Sequence, residues 1–283
     1  MDLISLPIEQ IDILLHFIPN DQEIKAFTNY QNQGKDIKNL AEEDQFLYAL
    51  SKVERLQQKL NIMSFISNFN DTYRNLLPQI NAVSSASLSI KQSKKLKKIL
   101  EVILAFGNYM NSSKRGPVYG FKLQSLESLL ETKTADKKQT LLHFIVMTVT
   151  EKFKDIKNFD SELMFIDKAA MVSLENVQFD MSELSKGMNS ARKENDLRMQ
   201  SQNMDCQILK DFLAKSESQY NELNNKYKIS QEQFQQCVEY FGETPRTQSP
   251  STFFTTFVKF LKAFNVSFLL FFWIDLWLFP VIL

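Results

Sequence analysis

From Leu209 the chain steps by four and three residues through Leu213, Ser216, Tyr220, Leu223, Tyr227, Ser230, Phe234, Cys237 and Phe241. An α-helix brings positions at that spacing onto one stripe, and a stripe sustained over more than four heptads needs other helices to cover it. Val177, Met181, Leu184, Met188 and Ala191 make the same steps upstream. Carried between the two runs, the phase lands on Asn195, Arg198, Gln202 and Asp205. The register survives but the seam turns polar. Either one helix crosses solvent there, or the chain bends and two helices pack antiparallel. Ser216 and Ser230 are the weak spots of the seam, and Cys237 reads as a small core residue. Gly242 suits a helix C′ position, with Pro245 just beyond. Ser249-Pro250 offers a cap and a first-turn proline for a last helix, FFTTFVKFLKAF.

The rest of the chain is also helical in pattern. Six glycines and seven prolines in 283 residues are too few to punctuate a sheet, and no segment alternates with period two for long. Apolar spacing predicts helices over residues 8–18, where Pro7 suits the first turn and Pro19 stops it, over 44–60, over 62–80 ending near Pro78, and over 94–109. After a loop at 112–120 come short helical signals at Leu123, Leu126, Leu129 and Leu130, then a helix over 141–153 with Asp136 in its first turn. The N-terminal MDLISLPIEQ lacks a cationic region before an apolar core and does not read as a signal peptide. Cys206 and Cys237, far apart and outside any CxxC context, read as two reduced thiols of a cytosolic protein.

Catalytic patterns are not found. His16 and His143 lie inside apolar helical runs, as satisfied core or boundary histidines do. There is no HExxH, GxSxG, phosphate-binding loop or dinucleotide fingerprint, and no cysteine–histidine cluster with metal spacing. The reading is a non-enzyme without cofactor or metal.

Charge is the second constraint. The whole chain is formally neutral, yet between Lys91 and Lys138 eleven Lys or Arg stand against four acidic residues, a net of +7. Such a segment suits an anionic partner: an acidic protein filament, a nucleic acid or a membrane surface. Aromatics for base stacking are sparse around it, which argues against single-stranded nucleic acid. Residues 265–283, NVSFLLFFWIDLWLFPVIL, are nearly all apolar and close to the length that spans a bilayer, with Asp275 near the middle and Lys259 and Lys262 at the entry. Three readings stay open for this tail: a membrane anchor, an apolar helix that docks on a partner, or a segment foreign to the ancestral domain, such as an alternative or mispredicted terminal exon. The last is preferred.

Residues 106–146, FGNYMNSSKRGPVYGFKLQSLESLLETKTADKKQTLLHFIV, carry five linked elements in order: Gly-Asn-Tyr-Met-Asn, a loop, Gly-Phe-Lys-Leu, an acidic-Thr-Lys turn, and a Leu-Leu-His-Phe helix. This resembles the signature region of the formin homology 2 domain. SLPIEQIDILLHFIPNDQE and AEEDQFLYALSKVERLQQKL resemble its knob. FIDKAAMVSLENVQFDMSEL and VEYFGETPRTQSPSTFFTTFVKFLKAF resemble its coiled-coil region and last helix. The wording is most similar to the formin-like subgroup of the diaphanous-related formins, over about residues 3–264.

The resemblance implies an all-α fold: an elongated helical domain with a partial knob, a three-helix coiled-coil region and a post, lasso and linker missing. Residues 1–263 are then a partial formin homology 2 domain and 264–283 an atypical apolar tail. It implies a cytoplasmic protein of the actin cytoskeleton and cell cortex that binds actin monomers and filament barbed ends and contributes to nucleation and elongation. It implies a dimer with another formin subunit, whose lasso docks on the post. Carried over by position, the post surface includes Gly107, Asn108, Tyr109, Met110, Asn111, Gly120 and Phe121. Asn108 and Asn111 would bond a docking backbone, Gly107 would allow close approach, and Tyr109 and Met110 would supply contact area. The actin-contacting lysine falls on Lys133, with Lys137 and Lys138 beside it. Without a lasso, a poor nucleator is expected, one that binds actin weakly or interferes with intact relatives. The alternatives are a tail-anchored helical scaffold whose basic surface meets anionic lipid, with membrane contact through residues 265–283, and a nucleic-acid-binding helical protein. Nucleic acid is not the expected partner.

Overall fold

The computed structural model describes residues 5–113, 116–134, 137, 139–200 and 207–278, the last eight through their backbone only. Among the described residues there are eleven α-helices and a single isolated β-bridge, Lys133 with Thr140. The contacts divide the chain into two units, Met1–Asn75 with Phe179–Asn224 and Leu76–Gln178 with Asn225–Leu283. Three long helices, α4 (Leu56–Gln92), α9 (Leu174–Gln200) and α10 (Gln207–Tyr240), have residues in both.

The first unit begins with α1 (Ile8–His16), which sets Ile11 against Leu60 and Met63 of α4. Asn20 then starts α2 (Asp21–Asn32): its Oδ1 accepts from the N–H groups of Gln22 and Glu23, while Glu23 Oε2 accepts from the Asn20 N–H at 2.8 Å. This reciprocal cap is legible in the sequence Asn-Asp-Gln-Glu. Helix α3 (Glu42–Ser51) follows. The single helix expected over 44–60 is broken after Ser51. Arg55 takes a left-handed φ of 53°, and its guanidinium reaches Glu194 of α9 at 2.8 Å. That ion pair helps to offset the roughly 1–3 kcal/mol that such a backbone costs. Phe46 and Val53, expected on the buried stripe, are instead about half exposed.

Ile62 of α4, Ala191 of α9 and Leu209 of α10 meet in one buried cluster, and Arg192 Nη2 bonds Glu217 Oε1 at 2.6 Å. The chain therefore turns back between α9 and α10, so of the two readings of the polar seam the bend is correct. Gly187 sits in this packing. A Cβ placed on it would lie 2.3 Å from two ring carbons of Phe65, and that ring is held edge-on by Phe69 and Phe212. Alanine would gain about 1 kcal/mol of helix propensity but overpack the ring at a cost of about 1–3 kcal/mol. Gly187→Ala is expected to lower stability by about 1 kcal/mol in urea titration; a variant more stable than the parent would show that the ring yields freely.

Helix α4 does not end near Pro78 but runs through it to Gln92. Pro78 is exposed, and so is Arg74, whose carbonyl loses its helical donor, while Leu76 and Ile80 face the core. Water can serve the freed carbonyl on that side, so the proline costs less there than in a packed helix interior.

In the second unit, α5 (Lys94–Asn111) starts at Ser93, whose Oγ accepts from the Leu96 N–H at 3.0 Å and donates to Glu162 Oε2 at 2.7 Å. The Ser93 hydroxyl, and after it the N–H and charge of Lys95, hold the Glu162 carboxyl below its ordinary range against the opposing effect of burial. A depressed folded pKa stabilises above the unfolded value near 4.3, and the contribution fades as pH falls through the folded value. Ser93→Ala is expected to flatten the acid side of the pH–stability profile; an unchanged slope would contradict this coupling.

Helices α6 (Ser125–Glu131), α7 (Leu141–Lys152) and α8 (Ile166–Ala170) follow, and α11 (Pro250–Leu278) packs along all three. Helix α7 begins at Leu141, so Asp136, outside the described residues, is not in its first turn; Thr140 and His143 form the cap instead. His143 is thus a boundary histidine that accepts and donates within its own helix start, whereas His16 is exposed, bonded to the Asp12 carbonyl. The end of α10 carries both bonds of a Schellman turn, Gly242 N–H to the Glu239 carbonyl at 2.9 Å and Glu243 N–H to the Val238 carbonyl at 3.1 Å, with Gly242 at φ 73°. Cys237 is fully buried beside this turn, and burial pushes its thiol up to about 12. Cys206 lies outside the described residues. Phe253, Phe254, Phe257, Phe260 and Phe264 of α11 are all buried. The helix does not stop at Phe264 but continues unbroken to Leu278.

Candidate functional site

The motif-bearing segment lies wholly in the second unit and is organised by α5 and α7. Apolar residues Leu96, Ile99, Val102 and Ile103 bury one face of α5, and Leu142, Ile145, Val146 and Val149 bury the matching face of α7. Near the C-terminal end of α5, Phe106 stacks edge-on against Phe144, in the first turn of α7, with ring centroids 5.5 Å apart. One turn beyond Phe106 come Tyr109 and Met110. Just before Phe144 comes the turn that holds Lys133 and Lys137. The aromatic contact therefore brings both motifs to one end of the helix pair.

Each motif is locally ordered. Asn108 Nδ2 donates to the Val118 carbonyl and its Oδ1 accepts from the Val118 N–H, both at 2.9 Å. One amide side chain thus pins the loop to the helix through one of its N–H groups and its oxygen. Asn111 Nδ2 donates to the Gly107 carbonyl at 2.9 Å. Gly107 has nothing within 4 Å of where a Cβ would stand, and the same is true of Gly120, so neither is required by crowding inside the chain. Pinning the loop leaves a group of large side chains in solvent: Tyr109 is 80% exposed, Met110 51%, Val118 49% and Tyr119 97%. Phe121 is half-buried. Val118, Tyr119 and Phe144 were not assigned to the site from sequence; the signal for the first two was an apolar pair set in a polar loop, which local pattern does not separate from ordinary loop chemistry.

Residues 132–134 pair with residues 139–141. Lys133 bridges Thr140, the Leu141 N–H donates to the Thr132 carbonyl at 2.8 Å, and the Thr134 N–H donates to the Gln139 carbonyl at 2.9 Å. Lys133 and Lys137 are both exposed, and Lys137 holds a left-handed φ of 58°, which a lysine adopts at some cost. Lys138 lies outside the described residues. Among the described residues no group of three or more His, Cys, Asp or Glu is placed to hold a metal ion. Within the basic segment, Lys98 pairs with Glu101 and Lys95 with Glu162, both across helix surfaces. Lys259 of α11 pairs with Glu127 of α6. The arrangement offers exposed aromatic and thioether surface beside point charges on an ordered turn. That combination serves recognition of a protein surface, with the apolar groups supplying contact and the lysines supplying attraction.

Known proteins share this sequence over most of its length. The family model of the formin homology 2 domain matches residues 1–265. Formin-like protein 3 of Danio rerio is 49% identical over 264 residues, 93% of this chain and 25% of the relative. Formin-like protein 2 of Homo sapiens is 49% identical over 264 residues, 93% of this chain and 24% of the relative. Disheveled-associated activator of morphogenesis 2 of Homo sapiens is 30% identical over 262 residues, 91% of this chain and 24% of the relative. The chain spans about a quarter of the length of these relatives.

Proposed function

The chain belongs to the formin homology 2 domain family, and from that premise we propose that it is an actin-binding protein of the cytoskeleton that acts in filament assembly. The proposal goes on to residues. Lys133 and Lys137, with Lys138 beyond them in sequence, meet an acidic surface of actin. Tyr109, Met110 and the loop residues Val118 and Tyr119 receive a segment of another formin subunit. Gly107, Gly120 and Phe121 border that surface, Gly107 and Gly120 leaving room for a backbone to approach. Asn108 works one step removed, by holding the loop in place, and Asn111 by closing the last turn of α5.

The single observation that carries this reading is the co-location of an exposed Tyr-Met pair and an ordered lysine turn at one end of α5 and α7, fixed by Phe106 on Phe144. Formin family membership supports dimerisation and actin binding in general, and a cytoplasmic place follows from it. Lysines that recognise actin as point charges act mainly on association rate and salt dependence. The test is fluorescence of labelled actin during assembly in the presence of the full chain. Lys133→Ala is expected to cut the effect of the chain on assembly by about threefold to tenfold while the helical content stays unchanged. An effect equal to the parent at every salt concentration would place the actin contact elsewhere.

A further inference from the structure

Helix α11 is two things in one rod. Up to Phe264 it is a core helix, with five phenylalanines buried in the second unit. Beyond that, Ser267 is still buried and Phe268 half-buried, while Val266 is 56% exposed, Leu269 58% and Leu270 45%. Phe268 through Ile274 are seven apolar residues in a row. At 100° per residue, seven consecutive positions point in every direction around a helix. A groove on a partner protein, or a second copy of this chain, covers one side of such a helix. Lipid covers every side.

The surroundings of the exit point name the kind of lipid. Phe264, the last buried phenylalanine of α11, lies edge-on to Phe159 at 4.9 Å. Phe159 opens the short turn that ends at Glu162, and Glu162 accepts from Ser93 Oγ and from the Lys95 N–H at the start of α5. That first turn of α5 presents Lys94 and Lys97 to solvent. Lys262 is exposed on α11 itself, and Lys168 is exposed on α8, which packs along α11. Phe165 and Met171 flank α8 and stand 44% and 84% exposed. Apolar side chains thus share this region with four exposed lysines, Lys94, Lys97, Lys168 and Lys262, which outnumber the exposed carboxylates of Asp160 and Asp167. Lysines at that place suit anionic headgroups, each contributing about 1 kcal/mol near a charged bilayer.

We infer that residues 269–283 insert into a lipid bilayer bearing anionic headgroups, with Lys94, Lys97 and Lys262 at headgroup level. From Leu269 the described helix runs ten residues to Leu278, about 15 Å at about 1.5 Å each, which reaches about halfway through a hydrocarbon core. The inference rests on α11 and its surroundings and is independent of the actin reading.

The chain supplies its own probe, because both of its tryptophans, Trp273 and Trp277, lie in this segment. The full chain is synthesised cell-free with vesicles of phosphatidylcholine alone, or of phosphatidylcholine with 30% phosphatidylserine, and floated through a density gradient. Brominated acyl chains then report whether the tryptophans enter the hydrocarbon. The expected result is flotation with the anionic vesicles and loss of at least half of the tryptophan emission on brominated lipid. Lys94→Glu with Lys97→Glu should lower partition into anionic vesicles by about tenfold or more, the lysines being worth roughly fivefold each, with partition into neutral vesicles unchanged. Leu269→Glu with Leu270→Glu, at positions already exposed, should reduce the quenching without unfolding the second unit. Protein that stays out of the vesicle fraction overturns the inference. So does flotation with unquenched tryptophans, and so does a stable lipid-free dimer whose tryptophans are shielded but do not respond to brominated lipid.

Discussion

Phe257→Ala should cost about 3–5 kcal/mol of stability, more than any other single change considered. Its ring is fully buried and touches Phe241 at the end of α10 and Phe253 one turn back on α11, each at a centroid distance of 5.3 Å. Phe241 is the residue just before Gly242, in the Schellman turn, so the ring supports the closure of α10 as well as the seating of α11. The cavity left by a whole ring cannot collapse between two helices that are each fixed elsewhere, which places the loss at the upper part of the range. Urea unfolding followed by circular dichroism measures it. A loss under 1 kcal/mol would mean that α11 is not part of the core of the second unit, and the reading of this helix as half core would fall.

The second large effect lies in the first unit. Glu194 is 3% exposed and accepts from Arg55 Nη1 at 2.8 Å and from Arg198 Nε at 2.7 Å, with the Arg198 side chain 9% exposed. Removing one member of a buried charge pair costs more than the pair is worth, because the partner stays desolvated. The Arg55 side, at 37% exposed, is screened by water and adds little. Glu194→Ala is expected to lose about 3 kcal/mol, because it removes the buried carboxylate that Arg55 and Arg198 share, and to release the turn at Arg55 that separates α3 from α4. Denaturant titration of the variant, with Arg55→Ala beside it, reads both. The Arg55 variant should lose distinctly less. Equal losses, or a Glu194 variant within 1 kcal/mol of the parent, would show that the triad does not organise this region.

These two sites also show what was legible beforehand. The seam was: Val177, Met181, Leu184, Met188 and Ala191 are all buried, as are Leu209, Leu223, Phe234 and Cys237. Even Ser216 and Ser230 are buried there, and Ser230 meets its need by donating to the Ile80 carbonyl at 3.1 Å. Period and polarity are local properties, so a sequence displays them. Glu194 was not legible, because its spacing to Arg198 fits any solvated i,i+4 pair, and its other partner, Arg55, is 139 residues away. The break at Arg55 escaped for the same reason, since the apolar step of residues 44–60 continues unbroken through it. Pro78 misled in the other direction: a proline ends a helix unless its lost bond faces solvent, and the sequence alone does not say which side is out.

The site divides similarly. Order and identity of the motifs gave away the family. The spacing of Asn108 and Asn111 suggests amides held out to a partner; that Asn108 also bonds the backbone of Val118, ten residues on, is not visible in that spacing. Side chains left facing solvent are Tyr109 and Met110 at the helix end and Val118 and Tyr119 on the pinned loop. The apolar run after Phe264 was legible as composition, whereas its continuity with a core helix, which ties it to the folded unit, was not.

The most direct measurement is equilibrium binding of the full chain to actin by fluorescence anisotropy, at two salt concentrations, with Lys133→Glu and Lys137→Glu combined. A control carries Lys215→Glu and Lys228→Glu, exposed lysines of α10, and so the same change in net charge. The account predicts that the first pair weakens binding by about tenfold or more and removes most of its salt dependence, while the control stays within about twofold. Equal weakening by both pairs would reduce the effect to overall charge, and no weakening by the first would contradict the placement of the actin surface at the end of α5 and α7.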